Sequence, residues 1–280
     1  MRFGKVAIIG VGLIGGSIAL AIKKRHLAKE VVGIFRRVST LKRALRYKAI
    51  DRGTLSIKDG VKDADLIILA TPVSSIPKVA RDVAKYTKKG AVITDVGSTK
   101  KWIVERIEKS LKASQSAWFV GSHPMAGSEH AGVEFARYDL LTGSPCIVTK
   151  TTKTGKRALD KVVGFWKGLD AKVKIMDPAT HDRSISLISH LPHLVAFALA
   201  GIIPAKELSY AAEGFKDTTR VASSDPKLWA DIFISNKKEV LRAVHLFEKY
   251  LKNITAALSK GDYMEMVKLL KKAKSIRDSI

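Results

Sequence analysis

Imidazole is the side chain that holds, accepts or donates a proton near neutral pH, and three of the seven histidines in this 280-residue chain stand out as candidates for acid–base work. His123 lies in Gly121-Ser122-His123-Pro124-Met125-Ala126-Gly127-Ser128-Glu129, directly after the apolar run Ala117-Trp118-Phe119-Val120. Small and hydroxyl-bearing residues gathered after a strand mark a site loop carried on a rigid scaffold. His190 and His193 are close enough in sequence to share a helical face, although Pro192 distorts the local geometry. They could pair on a metal, but no H-E-x-x-H pattern and no run of carboxylates completes such a site, so no metal is expected. Arg220, in Gly214-Phe215-Lys216-Asp217-Thr218-Thr219-Arg220, either clamps a carboxylate in two-pronged fashion or makes an ordinary ion pair, for instance with Asp217. Ser98, after Gly97, can donate to a substrate or a nicotinamide, or cap a helix.

These side chains need a frame, and the frame starts near the N-terminus. Val6-Ala7-Ile8-Ile9 runs into Gly10-Val11-Gly12-Leu13-Ile14-Gly15, and an apolar segment from Ile18 to Ile22 follows. That is a buried strand, a tight turn and the first turns of a helix. Gly10 allows the turn, Gly12 lets backbone approach a pyrophosphate, and Gly15 lets the helix pack on the strand. The free N–H groups of the first helical turn, where Leu13 and Ile14 sit, meet the anion. Such a dinucleotide site usually has an Asp or Glu at the end of the second strand to bind the ribose 2′-hydroxyl. Here the strand Val31-Val32-Gly33-Ile34-Phe35 runs into Arg36-Arg37-Val38-Ser39-Thr40 instead. Two guanidiniums and two hydroxyls where a 2′-phosphate would lie predict NADP over NAD. The alternative is that Arg36 and Arg37 are two of many surface cations.

Further along, Ala64 to Ala70 reads as a buried parallel strand whose end, Thr71-Pro72-Val73, faces the cofactor, because open α/β sheets bind ligands beyond the carboxyl ends of their strands. Ala91-Val92-Ile93-Thr94-Asp95 repeats the pattern, which places Asp95 and Gly97 beside the cofactor too. Strands and helices alternate through Lys172 to Met176, the pattern of a Rossmann-type doubly wound parallel sheet over residues 1–176. Beyond Asp177-Pro178 strand signals stop, and residues 177–280 read as an all-α domain. Thr180 to Ala200 is helical with an interruption at Pro192. Further helices cover roughly Ala205 to Phe215, Asp225 to Ser259 in one or two pieces, and Gly261 to Ile280. Asp225 caps a helix that Pro226 begins. Leu194 to Ala200 is apolar on nearly all faces, so it must be wrapped by other helices, some of them from a second subunit. A homodimer through this half is expected.

Lys and Arg number 50 against 26 Asp and Glu, a net charge of +24. That field draws anions, from a phosphorylated cofactor or polycarboxylate to nucleic acid or an acidic membrane. The cations are dispersed over amphipathic segments without interleaved aromatics, which favours a solvated face and a small-molecule substrate over nucleic acid or membrane. The one cysteine, Cys146, excludes an intrachain disulfide and fits a reducing compartment. The first strand begins almost at once after Met1, leaving no room for a secretory leader, and the longest apolar run, Leu194 to Ile203, is about half of a membrane span. A cytoplasmic protein is expected.

Six stretches, in order along nearly the whole chain, resemble the prephenate and arogenate (cyclohexadienyl) dehydrogenases of tyrosine biosynthesis. They are Gly10 to Gly15, Asp95 to Ser98, His123-Pro-Met-Ala-Gly127-Ser-Glu129, Ser189-His-Leu-Pro-His193, Gly214 to Arg220 and Ser224-Asp-Pro-Lys-Leu-Trp229. The resemblance implies an oxidative decarboxylation: a cyclohexadienol loses hydride from C4 to the nicotinamide and CO₂ from C1, driven by aromatisation. It implies that His123 accepts the hydrogen bond or proton of the C4 hydroxyl, that Ser98 orients that hydroxyl and the nicotinamide, and that Arg220 anchors a carboxylate. His190, His193, Gly214 and Trp229 then line the substrate pocket, and Ser128 and Glu129 modulate it. Similarity to NADP-using members, through Arg36, Ser39 and Thr40, agrees with the cofactor reading. Prephenate, giving 4-hydroxyphenylpyruvate, is the expected substrate; the alternative is arogenate, giving tyrosine, or both. Other β-hydroxyacid or imine reductases share the first motif but are not expected to carry the His-Pro-Met-Ala-Gly and Phe-Lys-Asp-x-Thr-Arg stretches.

Overall fold

The computed structural model describes residues 2–111, 117–128 and 130–279. Its first half alternates β1 (Phe3–Ile9), α1 (Leu13–Lys24), β2 (Ala28–Ile34), α2 (Val38–Arg46), β3 (Arg52–Thr54), α3 (Ile57–Val61), β4 (Leu66–Leu69), α4 (Ile76–Ala84), β5 (Ala91–Asp95), α5 (Lys101–Leu111) and β6 (Ala117–Val120). The six strands pair in parallel in the order β3-β2-β1-β4-β5-β6. Because strand side chains alternate in direction, each strand feeds two cores. Val6, Ile8, Leu66 and Ile68 pack on one side with Ile18 and Ile22 of α1. Ala7, Ile9, Ile67 and Leu69 pack on the other with Ala80 and Val83 of α4 and Ile103 and Ile107 of α5. The order reverses between β1 and β4, which opens a crevice beyond their carboxyl ends. The short β3 and α3 carry too few apolar residues to stand out in the sequence.

The turn after β1 needs its glycines for distinct reasons. Gly10 has φ +92°, and a Cβ there would lie 2.3 Å from the Ala70 carbonyl oxygen; a Cβ on Gly15 would lie 2.2 Å from the carbonyl oxygen of Gly10. Both would force main chain apart. A Cβ on Gly12 would meet nothing within 4 Å, so that position borders the open crevice.

The strands that follow do not extend this sheet. β7 (Ser122–Pro124), β8 (Pro145–Thr149) and β9 (Lys172–Met176) form a second, three-stranded sheet, with α6 (Lys156–Gly168) between the last two. The segment read from the sequence as a site loop therefore begins as a strand: His123 pairs antiparallel with Ile147 of β8, which fixes its backbone at the edge of the second sheet. Trp166 of α6 is fully buried, and its indole N–H donates to Ser122 Oγ at 2.9 Å.

The helical half opens with Asp177, whose carboxylate accepts the N–H groups of Ala179 and Thr180 at the start of α7 (Pro178–Ile185). The chain stays helical through a wide turn at Ser186–His190 into α8 (Leu191–Gly201). Pro192 has no N–H and its ring crowds the carbonyl one turn earlier, so the hydrogen-bond ladder widens ahead of it rather than breaking. This is the interruption expected near Pro192, displaced one turn toward the N-terminus. A 3₁₀ segment (Ala205–Tyr210), α9 (Glu213–Thr219), α10 (Pro226–Ser235), α11 (Lys237–Ser259) and α12 (Tyr263–Asp278) complete the chain. Asp225 caps α10 through the Lys227 N–H at 2.8 Å.

Pro178–Gly201 is long and apolar enough, by length and composition, to cross a membrane. It nevertheless carries His181, Asp182 and His190, all buried and hydrogen-bonded across to other elements, as a core helix of a globular domain does. Within α8 itself only Ala196 is buried. Ile188, Ile202, Ile234, Leu258 and Tyr263 stand open around it, so a single chain does not supply the wrapping that the composition of α8 demands.

Candidate active site

The helical half docks on the carboxyl ends of β4 and β5. Asp231 of α10 accepts the Ser74 N–H at 2.9 Å, and Ser235 and Thr99 hydroxyls meet at 3.1 Å. Asp182 of α7 does most to join the halves. Its Oδ1 accepts the Lys100 N–H at 2.7 Å and its Oδ2 the Lys101 N–H at 3.0 Å, so one carboxylate caps the free N-terminus of α5 from the other domain. Burial raises this carboxyl above its ordinary value, and the two N–H groups oppose the shift.

From Asp182 a line of hydrogen bonds leads to His123. Asp182 Oδ1 is 2.7 Å from His181 Nδ1, and His181 Nε2 is 2.9 Å from His123 Nδ1. His181 is fully buried and His123 is 7% exposed. Burial, and then the nearby charges of His181, Lys100 and His190, hold His123 well below the ordinary imidazole value. It is therefore neutral at physiological pH and able to accept a proton.

A second polar cluster supports the strand that carries His123. Lys100 and Asp95, both fully buried, form an ion pair; Lys100 Nζ also donates to the Ser122 carbonyl at 2.7 Å, and Asp95 accepts the N–H groups of Gly97 at 2.9 Å and Ser122 at 3.1 Å. A buried pair of this kind persists only when its remaining donors and acceptors are satisfied. This corrects the sequence expectation for Asp95: its carboxylate faces inward and braces the β5–α5 connection and β7, and does not reach into the crevice. Val73 is likewise corrected. It is 2% exposed and packs in the core beneath α4, whereas Thr71, whose methyl would lie 3.3 Å from a Cβ on Gly10, stays at the crevice with Pro72.

His190, His193, Trp229 and Arg220 converge beside this machinery. His193 stacks on Trp229 with ring centroids 3.6 Å apart and planes 21° apart, and His190 meets the same indole edge-on at 6.2 Å. His193 Nδ1 lies 2.9 Å from the Ser189 carbonyl, one helical turn earlier. Burial lowers its affinity for a proton, and the adjacent guanidinium of Arg220 lowers it further. His190 is fully buried; its Nδ1 sits 3.2 Å from Asn236 Nδ2, while its Nε2 makes no hydrogen bond. Burial pushes His190 down to about 4 against the pull of Asp182. Ser98 is half-buried at the head of α5. Gly214 and Ser128 lie on the exposed surface. Glu129 lies outside the described residues.

At the nucleotide end, Arg36 and Arg37 are exposed on the turn after β2, and Ser39 and Thr40 follow in the first turn of α2, which holds no acidic residue. The Thr40 hydroxyl donates to the Arg37 carbonyl at 2.8 Å. The open face at Gly12 and the bare N-terminus of α1 suit a dinucleotide's pyrophosphate.

Comparison with known proteins decides the family. Residues 18–175 match the family model described as prephenate dehydrogenase, nucleotide-binding domain, and residues 177–272 match prephenate dehydrogenase, dimerization domain. The chain belongs to the prephenate dehydrogenase family. It is 37% identical to the prephenate dehydrogenase of Bacillus subtilis over 98% of this chain and 76% of that one. It is 33% identical to the cyclohexadienyl dehydrogenase of Zymomonas mobilis over 94% and 92% respectively. A crystal structure of prephenate dehydrogenase from A. aeolicus, in complex with hydroxyphenyl propionate and NAD+, superposes with a TM-score of 0.92 at 34% identity, covering 100% of this chain and 99% of that one. Membership makes the protein a nicotinamide-dependent oxidoreductase.

For a prephenate dehydrogenase family chain, the sequence reading missed His181, Asp182, Lys100 and Asn236. His181 and Asp182 sit in a polar stretch that reads as an ordinary helix start after Asp177-Pro178, and their partners are 58 and about 80 residues away. Lys100 is one of 50 Lys and Arg residues in the chain, and its place after a strand among small residues, in Gly97-Ser98-Thr99-Lys100, is the signal the sequence offers.

Proposed function

We propose that this enzyme converts prephenate to 4-hydroxyphenylpyruvate with NADP preferred over NAD, in the cytoplasm and as a homodimer. The observation that carries the chemistry is the placement of His123. It is buried, held on a paired strand, engaged at Nδ1 by His181, and set beyond the end of the sheet where a nicotinamide lies in this fold. A nicotinamide held at the Gly10–Gly15 turn and the N-terminus of α1 would supply the acceptor for the hydride of ring C4. His123 Nε2 accepts the proton of the C4 hydroxyl as the hydride leaves, and the resulting cross-conjugated ketone loses CO₂ from C1. The ring oxygen then recovers a proton as the ring becomes aromatic. Arg220 anchors a substrate carboxylate, Ser98 orients the hydroxyl, and the stacked pair His193 and Trp229 forms an apolar wall with a polar edge. Gly214, Ser128 and Glu129 join the pocket's rim.

The cofactor preference rests on the turn after β2, where no carboxylate stands to repel a 2′-phosphate and Arg36 and Arg37 are exposed to receive it. The dimer rests on the open apolar surface around α8 and α12, in the half that meets the nucleotide domain at Asp177. Initial rates for prephenate and arogenate, each crossed with NADP and NAD, test the substrate and cofactor together. Prephenate with NADP should give the highest kcat/KM. Turnover of arogenate alone, or equal use of NAD, contradicts the reading. Sedimentation at micromolar concentration should show a dimer, and a monomer would contradict it.

A further inference from the structure

We propose that Asp182, acting through His181, sets the protonation pattern of His123 and shares the proton it accepts. The two residues then serve as positioning residues for the reaction. The inference rests on the reading of His123 as proton acceptor given above.

The hydrogen bonds run outward from the carboxylate. Asp182 receives backbone N–H groups from Lys100 and Lys101, and two such donors select the ionised, acceptor-only form. A carboxylate at 2.7 Å can only accept from His181 Nδ1, so His181 carries its proton there and presents a bare Nε2. That bare nitrogen at 2.9 Å in turn requires a proton on His123 Nδ1. The remaining nitrogen of His123, Nε2, is then the one with a free lone pair. Three residues thus fix one tautomer, and it is the tautomer a general base needs.

The same line provides for the charge that follows. As the O–H bond of the substrate breaks and Nε2–H forms, the Nδ1 proton of His123 can shift to His181 Nε2. The positive charge then rests beside the Asp182 carboxylate, not under the nicotinamide. After CO₂ leaves, the ring oxygen takes the proton back from Nε2 and the Nδ1–H is restored. Substrate and product both carry the hydroxyl proton, so the relay needs no outlet to water. His181 is fully buried and Asp182 is 2% exposed. Helix capping alone accounts for Asp182 but leaves unexplained a buried imidazole with both nitrogens engaged between that carboxylate and the base. The other polar groups facing the two rings are Lys100 from the β5–α5 segment, His190 from the wide turn and Cys146 on β8, with Asp95 beyond Lys100 and Asn236 holding the Asp182 carbonyl at 2.9 Å.

The test is the pH dependence of kcat for prephenate oxidation in the wild type, Asp182→Asn, His181→Gln and His123→Asn, with KM and thermal midpoint measured alongside. Asp182→Asn and His181→Gln should each lose roughly 10²-fold in kcat, with KM within about threefold of wild type. Loss of the carboxylate destabilises the His123 imidazolium, so the acid limb of the profile should move to lower pH. A kcat within about threefold of wild type, or an acid limb that stays in place, overturns the proposal. Should Asp182→Asn fail to fold for want of its cap, His181→Gln, which leaves the cap intact, decides the matter. Full turnover in His123→Asn would instead overturn the reading of His123 itself.

Discussion

His123 and His181 face each other through Nδ1 and Nε2 at 2.9 Å, with their rings inclined at 61°. The contact engages Nδ1 and leaves Nε2 as the nitrogen that the proposed mechanism assigns to the reacting hydroxyl. Replacing His123 by Asn keeps a hydrogen-bonding group near the Nδ1 position but removes the base. The variant should lose roughly 10²-fold or more in kcat with little change in KM, measured as initial rates of reduced-nicotinamide formation. Unchanged turnover would remove His123 from the chemistry.

The proposed role of Arg220 belongs to a different stage. An anchoring contact is made in ground and transition states alike, so Arg220→Ala should raise KM for prephenate while kcat stays within about threefold. A charge-assisted contact of about 1.5–3 kcal/mol corresponds to a rise of roughly tenfold or more. A variant with wild-type KM and depressed kcat would place Arg220 in the chemical step.

The glycines separate folding from binding. Gly15→Ala sets a methyl against the Gly10 carbonyl oxygen, where a Cβ would lie at 2.2 Å; such overpacking costs about 1–3 kcal/mol and should lower the thermal midpoint. Gly12→Ala meets nothing within 4 Å and should leave the midpoint unchanged while weakening nicotinamide dinucleotide binding, because its methyl occupies the approach to the pyrophosphate. Calorimetry with and without cofactor reads both. The opposite pattern would place the nucleotide elsewhere.

Buried histidines make the fold acid-sensitive. His190 is pushed down to about 4, so the unfolded chain, with an imidazole near its ordinary 6.5, binds a proton the folded chain refuses. Its stability contribution is whole above about pH 6.5 and is lost as pH falls toward 4, by up to about 3 kcal/mol. His123 and His181, both held well below the ordinary value, act in the same direction. The lowered carboxyls of Asp65 and Asp177 take effect only below the usual carboxylate range, and the raised carboxyls of Asp182 and Asp95, which act in the opposite direction just above that range, offset part of the histidine effect. Thermal midpoints should fall steadily from pH 7 to pH 5, and His190→Asn should flatten the slope; a flat profile in the wild type would contradict the burial.

What the sequence made legible was local. Gly10, Gly12 and Gly15 act within one turn, the buried strands are apolar runs bounded by small residues, and Asp225-Pro226 caps the helix it begins. The relay was not legible, because His181 meets His123 only when α7 folds back under β7. The inward turn of Asp95 was hidden for a related reason: its partner Lys100 lies five residues away, but the pair is buried only by β7 and Trp166 arriving from later in the chain. The second sheet escaped notice because β7 is three residues long, too short for an alternating pattern to register. Pro192 announced a disturbance and its direction, upstream, followed from the carbonyl its ring displaces.

The central claim is that one imidazole takes the proton while the ring gives up hydride. A crystal structure of the enzyme with oxidised cofactor and 4-hydroxyphenylpyruvate tests it most directly. The account predicts His123 Nε2 at hydrogen-bond distance, about 2.6–3.2 Å, from the phenol oxygen, with the carbon bearing that oxygen about 3–3.5 Å from the reactive carbon of the nicotinamide. A phenol oxygen held by other groups, with His123 Nε2 turned away from it, would contradict the account.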